Sequence, residues 1–202
     1  MQYIKHFTLI LISIFIISTL AFAGDKTNWQ LDKAHSSVNF TVRHLGISKV
    51  NGNFKDFDAI IYADKNTGKL TSFEGTVKVS SVNTGISKRD DHLKADDFFS
   101  ANKFPDMKMK SVSIIFNGNN FSGVVDFTMK GVTKRQTYSG EFLGTRIADF
   151  GSGKTKRAGY SLTLKVNRQD YGLSFNRLAE GVSIVGDEVT INIEIEMFRK
   201  VE

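Results

Sequence analysis

The run VTINIEIEMF (residues 189–198) places Val189, Ile191, Ile193, Ile195 and Met197 at alternate positions, with Thr190, Asn192, Glu194 and Glu196 between them. Successive side chains of a β-strand point to opposite faces, so this segment is a strand with one apolar and one polar face. A strand of that kind belongs to an antiparallel sheet that is wet on one side. The pattern recurs. FSGVVDFTMKG carries Phe121, Val125, Phe127 and Met129 on one parity, and YSLTLKV carries Tyr160, Leu162, Leu164 and Val166. TYSGEFLG carries Tyr138, Gly140, Phe142 and Gly144, and HSSVNFTVRH carries Ser36, Val38, Phe40, Val42 and His44.

Turn signals fall between these runs. NGNN (117–120) supplies an Asn-Gly hairpin. DKNTGK (64–69) separates FDAIIYA from LTSFEGTVKV, and GDE (186–188) opens the last strand. In MKMKSVSIIF the apolar parity changes between Met107/Met109 and Val112/Ile114/Phe116, which predicts a β-bulge near Lys110–Ser111. About eight long strands in meander order predict an all-β fold, a closed antiparallel eight-stranded β-barrel, because closure removes exposed edges. Gly75, Gly123, Gly140 and Gly144 lie on inward parities. They either leave room for a ligand or relieve twist, and the pattern leaves both readings open.

Composition narrows the class. MQYIKH, an apolar run from Phe7 to Leu20 and AFA (21–23) form a secretory signal peptide, with cleavage expected after Ala23 and a single domain over residues 24–202. The expected location is the periplasm. The chain has no cysteine, which excludes disulfides, thiolate metal sites and c-type haem attachment. Its net charge of +6 is mild and dispersed, giving no support to nucleic-acid binding.

One segment breaks the alternation: SKRDDHLKADDFFSANKFP (87–105). Ser87 is suited to cap a helix over about 87–100, with Asp90 and Asp91 in its first turn, where the helix dipole favours acids. Asp96 is placed to cap a second turn before Pro105, and Leu93, Phe98 and Phe99 to face the barrel.

WQLDKAHSSVNFTVRHLGISKVNGNF (29–54), NTGISKRDDHLKADDFFSANKFP (83–105), MKGVTKRQT (129–137) and VNRQDYGL (166–173) occur in that order. On these motifs the chain resembles the YceI-like family of exported, lipocalin-like barrels associated with polyisoprenoids and other long-chain amphiphiles. Where the family often has proline after GVTK, this chain has Arg135. The resemblance implies a lipid-binding protein that carries or sequesters a polyisoprenoid, isoprenoid quinone or fatty-acid derivative in an apolar pore. It implies no cofactor other than that lipid. Suitable wall residues are Phe40, Val42, Val77, Val125, Phe127, Phe142, Leu162 and Ile193, with Phe98 and Phe99 from the helical segment. The head group is expected near His44, Arg89 and His92. Partners consistent with this are the lipid, a membrane touched transiently and a second copy of the chain; the sequence leaves the oligomeric state open.

Two other classes compete. A metal-dependent periplasmic enzyme would draw on His35, His44 and His92, since three histidines can hold a catalytic zinc. None stands at H-x-H or H-E-x-x-H spacing, however, and His35 and His44 are on opposite parities. The more economical reading has His35 and His92 tying loops together and Arg89 paired with Asp90 or Asp170. A stress-response interaction module would have a filled barrel instead of a hollow one.

Overall fold

A computed structural model describes residues 26–151 and 153–201. The expected signal peptide, residues 1–23, lies outside them. The described strands are β1 (Lys26–Leu31), β2 (Ser37–His44), β3 (Ser48–Phe54), β4 (Phe57–Asp64), β5 (Leu70–Lys78), β6 (Val82–Asn83), β7 (Asp106–Asn117), β8 (Asn120–Met129), β9 (Val132–Asp149), β10 (Lys154–Asn167), β11 (Leu178–Ala179), β12 (Val182–Ser183) and β13 (Val185–Lys200). One α-helix, α1 (Ser87–Leu93), stands among the described residues.

Eight strands close an antiparallel ring in the order β1-β4-β5-β7-β8-β9-β10-β13, with β13 returning to β1. The eight-stranded expectation holds for that ring. The remaining strands come from a break in the first one. A 3-10 turn at Lys33–His35, capped by the Asp32 carboxylate accepting from the Ala34 amide, separates β1 from β2. β1 pairs with the C-terminal part of β13 and β2 with its N-terminal part. β3 and β6 then extend the sheet beyond β2.

The inward parities read from the sequence meet across the ladders. Tyr160 pairs with Ile195, Leu162 with Ile193, Leu164 with Ile191 and Val166 with Val189. Cross-strand pairs of this kind stabilise a sheet by about 0.2–1 kcal/mol each. The hairpin turns 65–69 and 118–119 define one end of the barrel, where the Lys69 ammonium donates to the Gly118 carbonyl and the Lys156 ammonium to that of Asn66. That end is packed solid. Phe121 lies edge-on to Tyr138 at 5.9 Å and to Tyr160 at 5.7 Å, and Phe142 lies 5.0 Å from Tyr160. Trp29, Ala63, Ala158 and Met197 complete the plug, all essentially inaccessible to solvent.

The bulge expected near Lys110–Ser111 is there, between Ser111 and Ser113, while several other local expectations move. Val112 is the extra residue and is pushed outward, 47% exposed, instead of sharing the inner face with Ile114 and Phe116. In the β7–β8 hairpin the two central residues are Gly118 and Asn119, with the left-handed φ of +64° on Gly118. The turn therefore uses glycine first, not an Asn-Gly pair. β13 begins at Val185, so GDE is an irregularity within it. Ser87 is the first helical residue and caps nothing; instead the Asp90 carboxylate accepts from the Thr84 amide (2.8 Å) and hydroxyl (2.6 Å).

The inward glycines separate into two kinds. A Cβ on Gly123 would stand 2.0 Å from the Ser113 carbonyl oxygen, and one on Gly140 would stand 2.4 Å from the Phe121 ring. These two make room for neighbouring groups, not for a ligand. Gly144 sits at φ +103°, at the bulge opposite Gly159 and Tyr160. Gly123→Ala is therefore expected to cost about 2–3 kcal/mol by overpacking against backbone, measured by urea unfolding.

Candidate functional site

Beyond the aromatic plug the barrel is hollow. Val189, Ile191, Ile193 and Ile195 occupy the inner parity of β13, yet stay only partly buried because nothing stands in front of them. They form one wall of a cavity of about 170 Å3. A dry cavity of about 150 Å3 holds one benzene ring, so this is room for about half a dozen carbon groups. Leu162, Leu164 and Val166 of β10 and Val38, Phe40 and Val42 of β2 continue that wall. Ala59, Gly75, Val77, Met107 and Met109 form the opposite one. The floor is Tyr160 and Phe121, and the far end is covered by Leu93, Phe98 and Phe99.

The cover is the α1 segment, and it is fastened by polar contacts outside the apolar space. Lys130 adopts a left-handed φ of +49°. Its ammonium donates to the carbonyls of Asp96 (2.7 Å) and Gly172 (2.6 Å). The Phe175 amide donates to the Asp97 carbonyl at 3.0 Å, and the Val79 amide to that of Pro105 at 2.9 Å. Phe98 stacks on Phe175 at 4.9 Å, with the His92 ring edge-on to both.

Of the residues singled out from sequence, Phe40, Val42, Val77, Phe98, Phe99, Phe127, Leu162 and Ile193 line the cavity. Five do not. Phe142 belongs to the plug against Tyr160, and Val125 is sealed within the core. His44 ends β2 opposite Val185 and lies outside the cavity lining. Arg89 donates from Nε to the Thr84 hydroxyl (2.7 Å) and from Nη2 to the Thr84 carbonyl (2.9 Å). Arg89 thus meets Asp90 at Thr84 instead of forming an ion pair with Asp90 or Asp170; Asp170 faces Lys134. His92 bonds Asp97 through Nε2 at 3.0 Å.

Among the lining residues not singled out from sequence, one differs in kind. Arg168 is 2% exposed and contributes the one buried charge beside the apolar space. It donates to the carbonyls of Gly186, Leu173 and Val185 and to the Asp187 carboxylate, tying the end of β10 to the start of β13. Burial holds its pKa below the usual arginine value, against the opposing pull of Asp187. It lies in a 3-10 turn (Arg168–Tyr171), where no period-two pattern exists to reveal it.

The three histidines are not brought together: His35 precedes β2, His44 ends it, and each of His35 and His92 bonds a nearby aspartate. Among the described residues, one grouping has metal-capable geometry: Asp32, His35 and Glu196. Arg157 already occupies it, donating from Nη2 to Asp32 and from Nε to Glu196 at 2.7 Å. Burial alone would raise the Asp32 pKa, but hydrogen bonds from His35 and Arg157, with their charges, outweigh it and hold the carboxyl below its ordinary value.

With the cavity defined, comparison with known proteins is direct. The profile of the YceI-like domain matches residues 29–197. The chain belongs to the YceI-like family. A UPF0312 protein of Staphylococcus aureus (strain N315) is 34% identical over 171 residues, covering 84% of this chain and 96% of its own length. The crystal structure of the Campylobacter jejuni YCEI protein is 33% identical with a TM-score of 0.68, covering 87% of this chain and 99% of that one. A domain from Saccharophagus degradans, described as polyisoprenoid-binding and implicated in plant cell wall breakdown, shares the fold at 15% identity with a TM-score of 0.55 over 84% of this chain and 97% of that one. Two motifs that signalled this YceI-like barrel, MKGVTKRQT and VNRQDYGL, prove to hold the Lys130 and Arg168 clamps at the covered end.

The Asp32 pair carries a pH signature. A carboxyl whose folded pKa lies below its unfolded value adds stability above the unfolded value and loses it as pH falls through the folded one. Asp32→Asn should therefore lower stability at pH 7 and flatten the decline of stability between about pH 5 and pH 2 in urea titrations at a series of pH values.

Proposed function

We propose that this protein is an exported lipid-binding protein that holds the apolar chain of an amphiphile, of the polyisoprenoid, isoprenoid quinone or fatty-acid type, inside the barrel. The observation that carries this reading is the row of half-buried aliphatic side chains on β13 facing an otherwise unfilled, apolar space. The polyisoprenoid-binding description of the Saccharophagus degradans domain supports the ligand class. A filled interaction module has no use for such a wall. A metal enzyme would need its histidines gathered, which the fold does not do. Binding without catalysis is thus the reading favoured here, with the periplasm as location on the strength of the leader-like residues 1–23.

The chain rests against Phe40, Val42, Val77, Phe127, Leu162 and Ile193, below Phe98 and Phe99. About half a dozen methylenes at 0.8 kcal/mol each give roughly 5 kcal/mol of transfer free energy, from which ordering costs subtract. A prenyl chain of several tens of carbons exceeds the space, so its remainder stays outside. The head group and any transient membrane contact then belong to the covered end.

The decisive experiment is organic extraction of protein purified from its native host, followed by mass spectrometry. A co-purifying long-chain amphiphile at near-stoichiometric load is expected; a lipid-free extract from folded protein contradicts the reading. Gly75 supplies a variant that fills the cavity without strain. It lines the space, and a Cβ there would meet nothing closer than the Asp58 carbonyl oxygen at 3.9 Å. Gly75→Leu should keep its melting temperature while losing most of its lipid. Glu194→Ala, on the outer face where Glu194 accepts from Ser161, should keep the full load. N-terminal sequencing of the exported form should begin at Gly24.

A further inference from the structure

The tetrapeptide GISK occurs twice, at 46–49 and 85–88, and both copies lie at the covered end of the barrel. In each, the isoleucine points away from the protein: Ile47 is 87% exposed and Ile86 53%. The first copy forms the turn between β2 and β3. The second follows β6, whose Asn83 pairs with Asn53, so the chain from Asn83 to Ile86 runs back along β3 toward that turn. A third tip joins them. The β11–β12 hairpin exposes Leu178 (61%) and Val182 (48%). It is tied to the first by the Leu45 amide donating to the Ile184 carbonyl at 3.1 Å.

These tips are continuous with the cavity. Val42 and Val185 line it, each a few residues from the exposed aliphatics, and Leu93 lines it one helix after Ile86. The charge around them is one-sided. Segments 43–49, 84–88 and 177–184 contain Arg43, Lys49, Lys88 and Arg177, all exposed, against Glu180 alone. The neighbouring acids are engaged, Asp90 with Thr84, Asp91 with Lys94 and Asp187 with Arg168.

We propose that this rim docks on a bilayer surface carrying anionic lipid, with Ile47, Ile86, Leu178 and Val182 entering the interface and the basic residues facing the head groups. The inference rests on the lipid-binding reading and adds the place where cargo enters and leaves. Aliphatic tips ringed by cations are the chemistry that an anionic interface rewards. A second copy of this chain is the poorer occupant. A two-fold contact through the same patch would set four cations against four. The geometry also suits the cargo: a chain too long for the cavity emerges at this end, and docking lets the emerging part remain in hydrocarbon instead of water.

The test is co-sedimentation of the leader-free protein with vesicles of phosphatidylcholine, with and without phosphatidylglycerol. Binding to the phosphatidylglycerol vesicles is expected, weakening as salt is raised. Ile47→Asp with Ile86→Asp should lower the partition coefficient by at least about tenfold. Lys49→Glu and Lys88→Glu should each lower it at least about fivefold. Ile115→Asp, at an exposed isoleucine on the barrel wall, should change nothing. Melting temperatures check that all variants fold. Wild-type protein that ignores both vesicle types, or a folded double isoleucine variant that binds as wild type does, overturns the proposal. So does a wild-type dimer that the double variant converts to monomer without vesicle binding in either form, which would assign the rim to a second copy. The two readings fail separately. Protein that carries lipid but ignores vesicles loses the docking rim alone, and protein that docks yet extracts lipid-free loses the cargo.

Discussion

The 16 residues of β13 form the seam on which the barrel depends. One edge pairs with β10 from Thr155 to Asn167 without interruption. The other edge takes β2 first and β1 afterwards, so a single strand holds both halves of the broken first strand in place. The constraint that fixes this pairing is parity. A slip of one residue would turn Ile191, Ile193 and Ile195 outward and carry Glu194 and Glu196 into an apolar interior. Burying unpaired carboxylates costs several kcal/mol each, so register is specified far more tightly than β-propensity alone would do. The same row of isoleucines then serves as the cavity wall.

A barrel of one circumference need not be hollow at one end and solid at the other. Two features make it so. Side chains on the shared strands change along the axis: Trp29, Phe121, Tyr138, Phe142 and Tyr160 gather at the hairpin end, while β10 and β13 line the other with leucines, valines and isoleucines. Glycines at 123 and 140 allow the rings to close-pack against backbone, which removes void instead of creating it. The wall also widens. Toward the covered end the single strand β1 gives way to β2 and β3, and β3 shares no ladder with β4. The chain crosses that corner with Phe54 and Phe57, which fill the opening with ring surface instead of hydrogen bonds.

Period two made the faces legible but not the heights. Phe40, Phe127 and Phe142 were each read on the correct inner face, yet Phe142 lies level with Tyr160 in the plug. Height depends on stagger between strands, and stagger depends on bulges. The one in β7 was legible as a change of parity, though its extra residue is Val112. The one opposite Gly159 and Tyr160 left no comparable mark, because Leu143 simply continues an alternating run on the outside. Outside the strands there was less to read. Arg168 sits in a 3-10 turn, and three of its four acceptors, Val185, Gly186 and Asp187, lie 17–19 residues along the chain. The expected head-group contacts at Arg89 and His92 were drawn away by Thr84 and Asp97, two partners only five residues from each.

The acid-rich segment 87–105 is a strap. Asp90 holds Thr84, Asp91 pairs with Lys94, Asp96 accepts from Ser100 and Lys103, and Asp97 holds His92. Each acid is satisfied at short range, in contact with water, where exposed pairs contribute at most about 1 kcal/mol. Such fastenings are individually weak and collectively directional. They set the segment across the barrel end while Leu93, Phe98 and Phe99 supply the apolar underside. A cover held by polar contacts on its outer side and by apolar contacts within responds differently to its two surroundings. Water competes for the first set, and an apolar chain inside the cavity adds to the second. Any apolar occupant would therefore add contact area beneath the cover, without a dedicated switch residue.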